Sequence, residues 1–224
     1  MPILPSPPAS ADPTIFIQAH TAPAPVPLRP DIMLWQATEI TPIWRATADW
    51  LEANGVPPPF WAFPWAGGQA VAKLILDDPS WVAGKRVVDF AAGSGLIAIA
   101  AMKAGAVRVT ALDIDPFAKA ATDLNAAMNE VIVEAVTADM IGRPLPDTDI
   151  LLAGDVCYER PFAEAALVWF RDLARAGVTV LVGDPGRAYL PSQGLEKVAT
   201  YQVPTSTELE DRDIRTTDVW RVPA

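Results

Sequence analysis

The stretch Val87-Val88-Asp89-Phe90-Ala91-Ala92-Gly93-Ser94-Gly95-Leu96 constrains this chain more than any other. An apolar strand runs into an acid, turns through small residues and continues as an apolar helix. Such a turn aims backbone N–H groups past the helix N-terminus, which is how α/β sheets receive nucleotide-like ligands. Eighteen residues beyond Gly95 a second apolar strand, Val107 to Leu112, ends in another acid, Asp113. A carboxylate there suits the paired hydroxyls of a ribose, so the expected ligand contains adenosine.

The pattern repeats along the chain. Strands are predicted at 85–90, 107–113, 131–137, 149–154 and 178–183, with helices at about 95–104, 116–129 and 160–176 between them. Apolar strands alternating with helices predict a parallel sheet covered on both faces. Asp115-Pro116 has the form of an N-cap followed by proline at the first helical position. Beyond the fifth strand, Lys197 to Val203 and Thr216 to Val222 read as two strands with no room for a helix between them, hence a hairpin. The expected fold is α/β: a Rossmann-like, mostly parallel seven-stranded sheet with a C-terminal antiparallel hairpin and an N-terminal helical extension. Residues 1–13, rich in proline, alanine and serine, are expected to be a disordered tail. Residues 14–84 form the extension and 85–224 the main domain. Within the extension, Thr14 to Ile17 suggests a short strand, and Pro23, Pro25, Pro27 and Pro30 impose an extended path. Ile40, Ile43, Trp44, Thr47 and Leu51 share a helical face that Gly55 closes, and a second helix is predicted over about Gly68 to Leu76.

Composition narrows the chemistry. The net charge of −10 argues against a nucleic-acid partner and against an anionic membrane surface. The single cysteine, Cys157, excludes disulfides within the chain and cysteine-based metal sites; it reads as a small buried filler. The single histidine, His20, lies far from the glycine turn and reads as a surface loop residue, so no serine–histidine triad or two-histidine metal site is expected. No segment has the apolar length of a membrane span, and the first 28 residues carry no lysine or arginine, against a secretory or mitochondrial leader. The expectation is a cytoplasmic protein without a metal.

Gly93-Ser94-Gly95-Leu96-Ile97-Ala98 matches the dinucleotide pattern G-x-G-x-x-G/A, a weak signal alone. Three features point away from a dinucleotide. Asp89, four residues before Gly93, suits a cationic group and repels a pyrophosphate. Asp139, after the third strand, can accept a hydrogen bond from an adenine amino group. The terminal hairpin replaces the second mononucleotide-binding half. Together they favour S-adenosylmethionine, a sulfonium without phosphate. Asp113 is preferred over Asp115 for the ribose, because Asp115 is explained as a cap.

Residues 85–183 resemble the class I S-adenosylmethionine methyltransferases, with Ala91 in place of a usual glycine. Pro58-Pro59-Phe60-Trp61-Ala62-Phe63-Pro64-Trp65-Ala66-Gly67-Gly68-Gln69, Gly154-Asp155-Val156-Cys157-Tyr158-Glu159 and Gly183-Asp184-Pro185-Gly186-Arg187 resemble the seven-β-strand protein-lysine methyltransferases, and most closely those of the electron-transfer-flavoprotein β-subunit. The resemblance covers about residues 14–224. It implies lysine N-methylation of a protein substrate, the flavoprotein β-subunit. It places Trp65, Gln69, Asp89, Ala91, Gly93, Gly95, Asp113, Ile114, Asp139, Met140 and Asp155 at the cofactor. Trp61, Phe63 and Tyr158 line the substrate channel. Asp155 receives the target amine, and Tyr158 shapes the channel and accepts a hydrogen bond. Three other readings stay open: a small-molecule N-methyltransferase of the same fold, a nicotinamide-dependent oxidoreductase, and a noncatalytic binding protein. Aromatic packing of the extension is the rival account of Trp61, Phe63 and Trp65, and a helix cap that of Asp155.

Overall fold

The computed structural model describes residues 12–38, 41, 43, 51, 56–205 and 212–224. The predicted tail and the helix expected from Ile40 to Gly55 lie almost wholly outside these residues. The extension begins with α1 (Pro13–His20), β1 (Ala22–Val26) and β2 (Arg29–Gln36), and continues to α2 (Ala66–Asp77). The sheet then alternates: β3 (Arg86–Phe90), α3 (Leu96–Lys103), β4 (Arg108–Asp113), α4 (Pro116–Met128), β5 (Glu134–Thr137), β6 (Ile150–Gly154), α5 (Arg160–Arg175), β7 (Thr179–Asp184), β8 (Glu196–Pro204) and β9 (Ile214–Arg221). The strand order is β5-β4-β3-β6-β7-β9-β8. The strands from β5 to β7 are parallel, and β9 runs antiparallel between β7 and β8. The predicted seven-stranded sheet with a terminal hairpin is present.

Successive side chains on a strand point to opposite faces, and here both faces are dry. Val87, Ile150, Leu152 and Leu181 pack on one side with α2 and α3, whereas Val88, Leu151, Ala153, Val180 and Val182 pack on the other under α5. This explains why the central strands read as continuous apolar runs rather than alternating ones. Residues Leu96 to Ala101 of α3 are all buried, as an all-round apolar helix requires. Each fully buried leucine or isoleucine there contributes about 1.5–3 kcal/mol.

The extension differs from expectation at its start. Thr14 to Ile17 lies in a helix, not a strand: the Asp12 side chain accepts from the Thr14 amide and Pro13 takes the first position. The same Asp-Pro pair opens α4 at Asp115-Pro116. His20 ends α1 buried rather than on a surface loop, stacked on Phe16 at 4.2 Å. The proline-rich path is one arm of an antiparallel pair, with Pro23 and Pro25 exposed on β1. Two asparagines, Asn125 in α4 and Asn129 at its C-cap, hold that pair in place. Asn125 Oδ1 accepts from the Trp35 amide (2.7 Å) while its Nδ2 donates to the Ser94 carbonyl (2.8 Å). Asn129 pairs in both directions with the backbone of Met33. One residue therefore connects the extension directly to the glycine turn.

Candidate active site

The chain leaves β5 and crosses back to β6, on the other side of β3. Such a reversal opens a crevice at the carboxyl ends of the strands. A cleft of about 590 Å³ lies there, within the range of ligand pockets. Its floor is the β3–α3 turn, its far wall the ends of β4 and β5, and its near wall the segment before α2 with the ends of β6 and β7.

The glycine turn holds its shape through unusual backbone angles. Ala91, Gly93 and Gly95 have φ of 54°, 53° and 74°. Ala91 thus occupies a left-handed conformation that favours glycine, at a cost of order 1 kcal/mol. The Gly93 amide donates to Asp113 Oδ2 (2.9 Å), and the Asp115 amide donates to Asp113 Oδ1 (3.0 Å). Asp113 is thereby fixed in the cleft wall with lone pairs left to accept hydroxyls. Asp115 Oδ1 accepts from the Phe117 amide (2.8 Å), as a cap should. Ile114, exposed, and Asp139, whose Oδ1 accepts from the Ile141 amide (3.1 Å), face the same space.

Four predicted cofactor residues stand outside the lining. Asp89 is buried beneath α3, and its Oδ2 accepts from the amide of Ala98 in the first turn (2.9 Å). Burial, opposed by that bond and reinforced by Asp113, pushes its carboxyl up to about 8. Gly95 begins α3, where a Cβ would stand 2.8 Å from the Thr122 side chain. Gln69 spans the extension instead: its Nε2 donates to the Pro64 carbonyl (2.6 Å) and its Oε1 accepts from the Leu28 amide (3.0 Å). Met140 packs into the core under α5, and Ile141 reaches the cleft in its place.

The near wall is aromatic. Trp61, Phe63, Trp65 and Tyr158 all line the cleft, joined by Phe60, Phe90 and Phe162. Trp61 is fully buried and stacks on Phe117 of α4, so it serves the packing of the extension as well. Tyr158 is half-exposed at the mouth, 5.6 Å from Phe60 and 5.9 Å from Phe162; burial raises its hydroxyl pKa. Cys157 is buried behind it, and burial beside Asp184 pushes its thiol up to about 12, which leaves it inert.

Asp155 is the most heavily engaged side chain in the site. It follows β6 with φ of 57°. The amides of Gly67 (2.6 Å) and Gly68 (3.2 Å), in the first turn of α2, donate to its Oδ2. Arg187 Nη2 (2.8 Å) and Nε (3.2 Å) donate to its Oδ1. Asp155 does cap a helix, but α2 rather than α5. The approach requires glycine at 67, where a Cβ would lie 2.2 Å from the Gly183 carbonyl oxygen. Arg187 was not among the predicted site residues. It is aimed by Asp184, whose Oδ1 accepts from the Gly186 (2.7 Å) and Arg187 (2.6 Å) amides, and its guanidinium lies 5.6 Å over the Trp65 ring. An acid three residues before an arginine, after a strand, was the available signal.

Among the described lining residues, Asp113, Asp115, Asp139, Asp155 and Glu159 face the single guanidinium of Arg187. Such a lining repels a diphosphate and suits a sulfonium cofactor with a ribose and an adenine, so the residues present fit S-adenosylmethionine. No group of three or more histidine, cysteine or acidic residues able to hold a metal occurs among the described residues, and no described helix is long and apolar enough to cross a membrane.

A family model for ribosomal protein L11 methyltransferase (PrmA) matches residues 74–153. Magnesium protoporphyrin IX methyltransferase from Synechocystis, solved with bound SAM, shares the fold at a TM-score of 0.51 and 14% identity, over 84% of this chain and 100% of that one. The N-methyltransferase NodS from Bradyrhizobium japonicum does so at a TM-score of 0.51 and 12% identity, over 70% and 87%. The electron transfer flavoprotein beta subunit lysine methyltransferase of Danio rerio is 36% identical over 200 residues, 87% of this chain and 76% of that one. The Xenopus laevis protein of the same name is 36% identical over 215 residues, 93% and 86%. With that identity over most of both chains, and with a cleft suited to S-adenosylmethionine, this chain belongs to the electron transfer flavoprotein beta subunit lysine methyltransferase family.

Proposed function

We propose that the protein transfers methyl groups from S-adenosylmethionine to lysine side chains of the electron-transfer-flavoprotein β-subunit. The observation that carries the substrate assignment is the 36% identity spanning 86% of a relative that bears that name. The cleft supports the chemistry. Asp113 is the ribose acceptor, Ile114 and Ile141 flank the adenine, Asp139 accepts from its amino group, and the Gly93 turn admits the methionine portion. Phe60, Phe63, Trp65 and Tyr158 wall the path along which the lysine arrives.

When bound, the cofactor supplies an electrophilic methyl group on a cationic sulfur. The protein must present a neutral amine to it. A free lysine with pKa near ~10.4 is charged at pH 7, and neutralising it costs roughly 4–5 kcal/mol. Aromatic walls that strip water from the amine lower that cost, and fixed alignment supplies up to about 7–11 kcal/mol of the barrier. A strong general base is unnecessary, in keeping with a chain whose single histidine is buried in α1. We place the reaction in the cytoplasm, on the strength of a single unpaired cysteine.

The test is incubation with isotopically labelled S-adenosylmethionine and recombinant electron-transfer flavoprotein, followed by peptide mass spectrometry. Labelled methyl-lysine on the β-subunit is the expected result. Label on another protein or small molecule, with none on the β-subunit, overturns the substrate assignment.

A further inference from the structure

We propose that Arg187 is a positioning residue that occupies Asp155, so that the cleft accepts the target lysine as a neutral amine rather than as an ammonium ion. The inference rests on the lysine-methylation reading above and adds a residue and a physical role to it.

An aspartate at the end of a central strand, bare in a cleft, attracts an ammonium ion and holds its proton. An opposite charge within about 4–6 Å stabilises the charged form of an amine, by 1–3 pKa units for close pairs. That works against methyl transfer, which needs the nitrogen lone pair. In this molecule the four acceptor sites of Asp155 are met by two α2 amides and two N–H groups of Arg187. The pair is sheltered, with side-chain exposures of 18% for Arg187 and 10% for Asp155. The α2 N-terminus adds roughly half a positive charge. The Asp155 locus is thus neutral to slightly positive, and Arg187 keeps its charge at any working pH.

Among the described residues, the other charged groups facing the cleft do not repeat this pairing. Glu159 opens α5 at the mouth, Asp113 and Asp115 lie at the end of β4, and Asp139 follows β5. Tyr158 is uncharged there, its pKa raised by burial. Asp184 stands behind Arg187 and is engaged with the amides that shape its turn. Cys157 is buried and uncharged. Arg187 is thus the residue that decides whether an acid is exposed where the aromatic wall meets the cofactor floor. The step then balances simply: the amine lone pair forms the N–C bond, the C–S bond breaks to a thioether, and one N–H proton leaves to water.

The experiment compares methylation of the recombinant flavoprotein β-subunit by wild type, Arg187→Gln, Arg187→Lys and Arg187→Gln/Asp155→Asn across pH 7–10, with binding of S-adenosylhomocysteine measured on each. For Arg187→Gln the expected result is a kcat at pH 7.5 reduced tenfold or more, a KM unchanged or lower, and recovery to within about threefold of wild type at pH 10, because the exposed Asp155 holds the lysine proton. Arg187→Lys keeps the wild-type pH profile. The double variant, which removes both charges, returns the profile toward wild type. A loss in Arg187→Gln that is uniform with pH overturns the proposal, as does an unshifted profile. Failure of that variant to fold or to bind S-adenosylhomocysteine assigns Arg187 to structure and likewise overturns it. Absence of β-subunit methylation by the wild type is a different outcome, which rejects the substrate reading instead.

Discussion

At the end of the cleft proposed for the cofactor, the amides that hold Asp113 come from 2 and 20 residues away in the chain. At the end proposed for the methyl acceptor, the groups that hold Asp155 come from 32, 87 and 88 residues away. One carboxylate is set by a single strand–turn–helix unit; the other exists only when the extension, β6 and the loop after β7 have all docked. The cofactor half is therefore a local device and the acceptor half a product of tertiary assembly. Substitutions should separate the two.

The largest effect is expected at Gly67. A Cβ there would meet the Gly183 carbonyl oxygen at 2.2 Å and Asp155 Oδ2 at 2.6 Å. The Gly183 carbonyl is sheet backbone and the Asp155 amide, 2.7 Å away, is backbone too, so Gly67→Ala is expected to lower unfolding free energy by about 3 kcal/mol or more in urea titrations, and to abolish methylation. A loss below about 1 kcal/mol would show that α2 can lift off the sheet without harm.

Asp89 tests the cofactor half through pH. Its folded-state pKa is raised to about 8 by burial, so the folded protein holds a proton that the unfolded chain releases near ~3.9. That contribution is present below the unfolded value and is lost as pH climbs to about 8, at up to about 1.4 kcal/mol per pH unit. Asp89→Asn, always neutral, should remove this slope. Urea midpoints at pH 5 and pH 8 for both proteins check it: the wild type should lose a few kcal/mol more than the variant.

Asp113→Asn keeps the shape and removes the charge-assisted acceptor. S-adenosylhomocysteine should bind about tenfold more weakly, about 1.4 kcal/mol, as read by calorimetry. Asp155→Asn should change that affinity by less than threefold if the two halves are as distinct as their wiring. The smallest effect is at Ala91, whose φ of 54° suits glycine. Ala91→Gly is expected to raise stability by about 0.5–1 kcal/mol, since relief of strain exceeds the added freedom of the unfolded chain.

The same division explains what was legible in the sequence. Periodicity and capping act over short spans, so the helices of the main domain and most strands fall within two residues of their predicted bounds. Strand β5 is shorter and starts at Glu134, with Val131 and Val133 packed against the core ahead of the ladder. At the start of the extension, Thr14 to Ile17 has the apolar look of a strand, but the Asp12-Pro13 cap makes it the first turns of a helix. Asp113 and the Gly93 turn could be found because their partners are near in sequence. Gln69, Met140 and Asp89 sit beside the cleft in sequence but not in its wall, since a side chain's direction depends on what packs over it. Arg187, Asn125 and Asn129 carry contacts across the fold that no local pattern announces.

The central claim is that a cleft rimmed by carboxylates takes a sulfonium cofactor. Isothermal titration of the full chain with S-adenosylhomocysteine, and separately with NADH, tests it most directly. Saturable heat with S-adenosylhomocysteine, weakened in Asp113→Asn, and none with NADH is the predicted result. Firm binding of NADH with none of S-adenosylhomocysteine would contradict it.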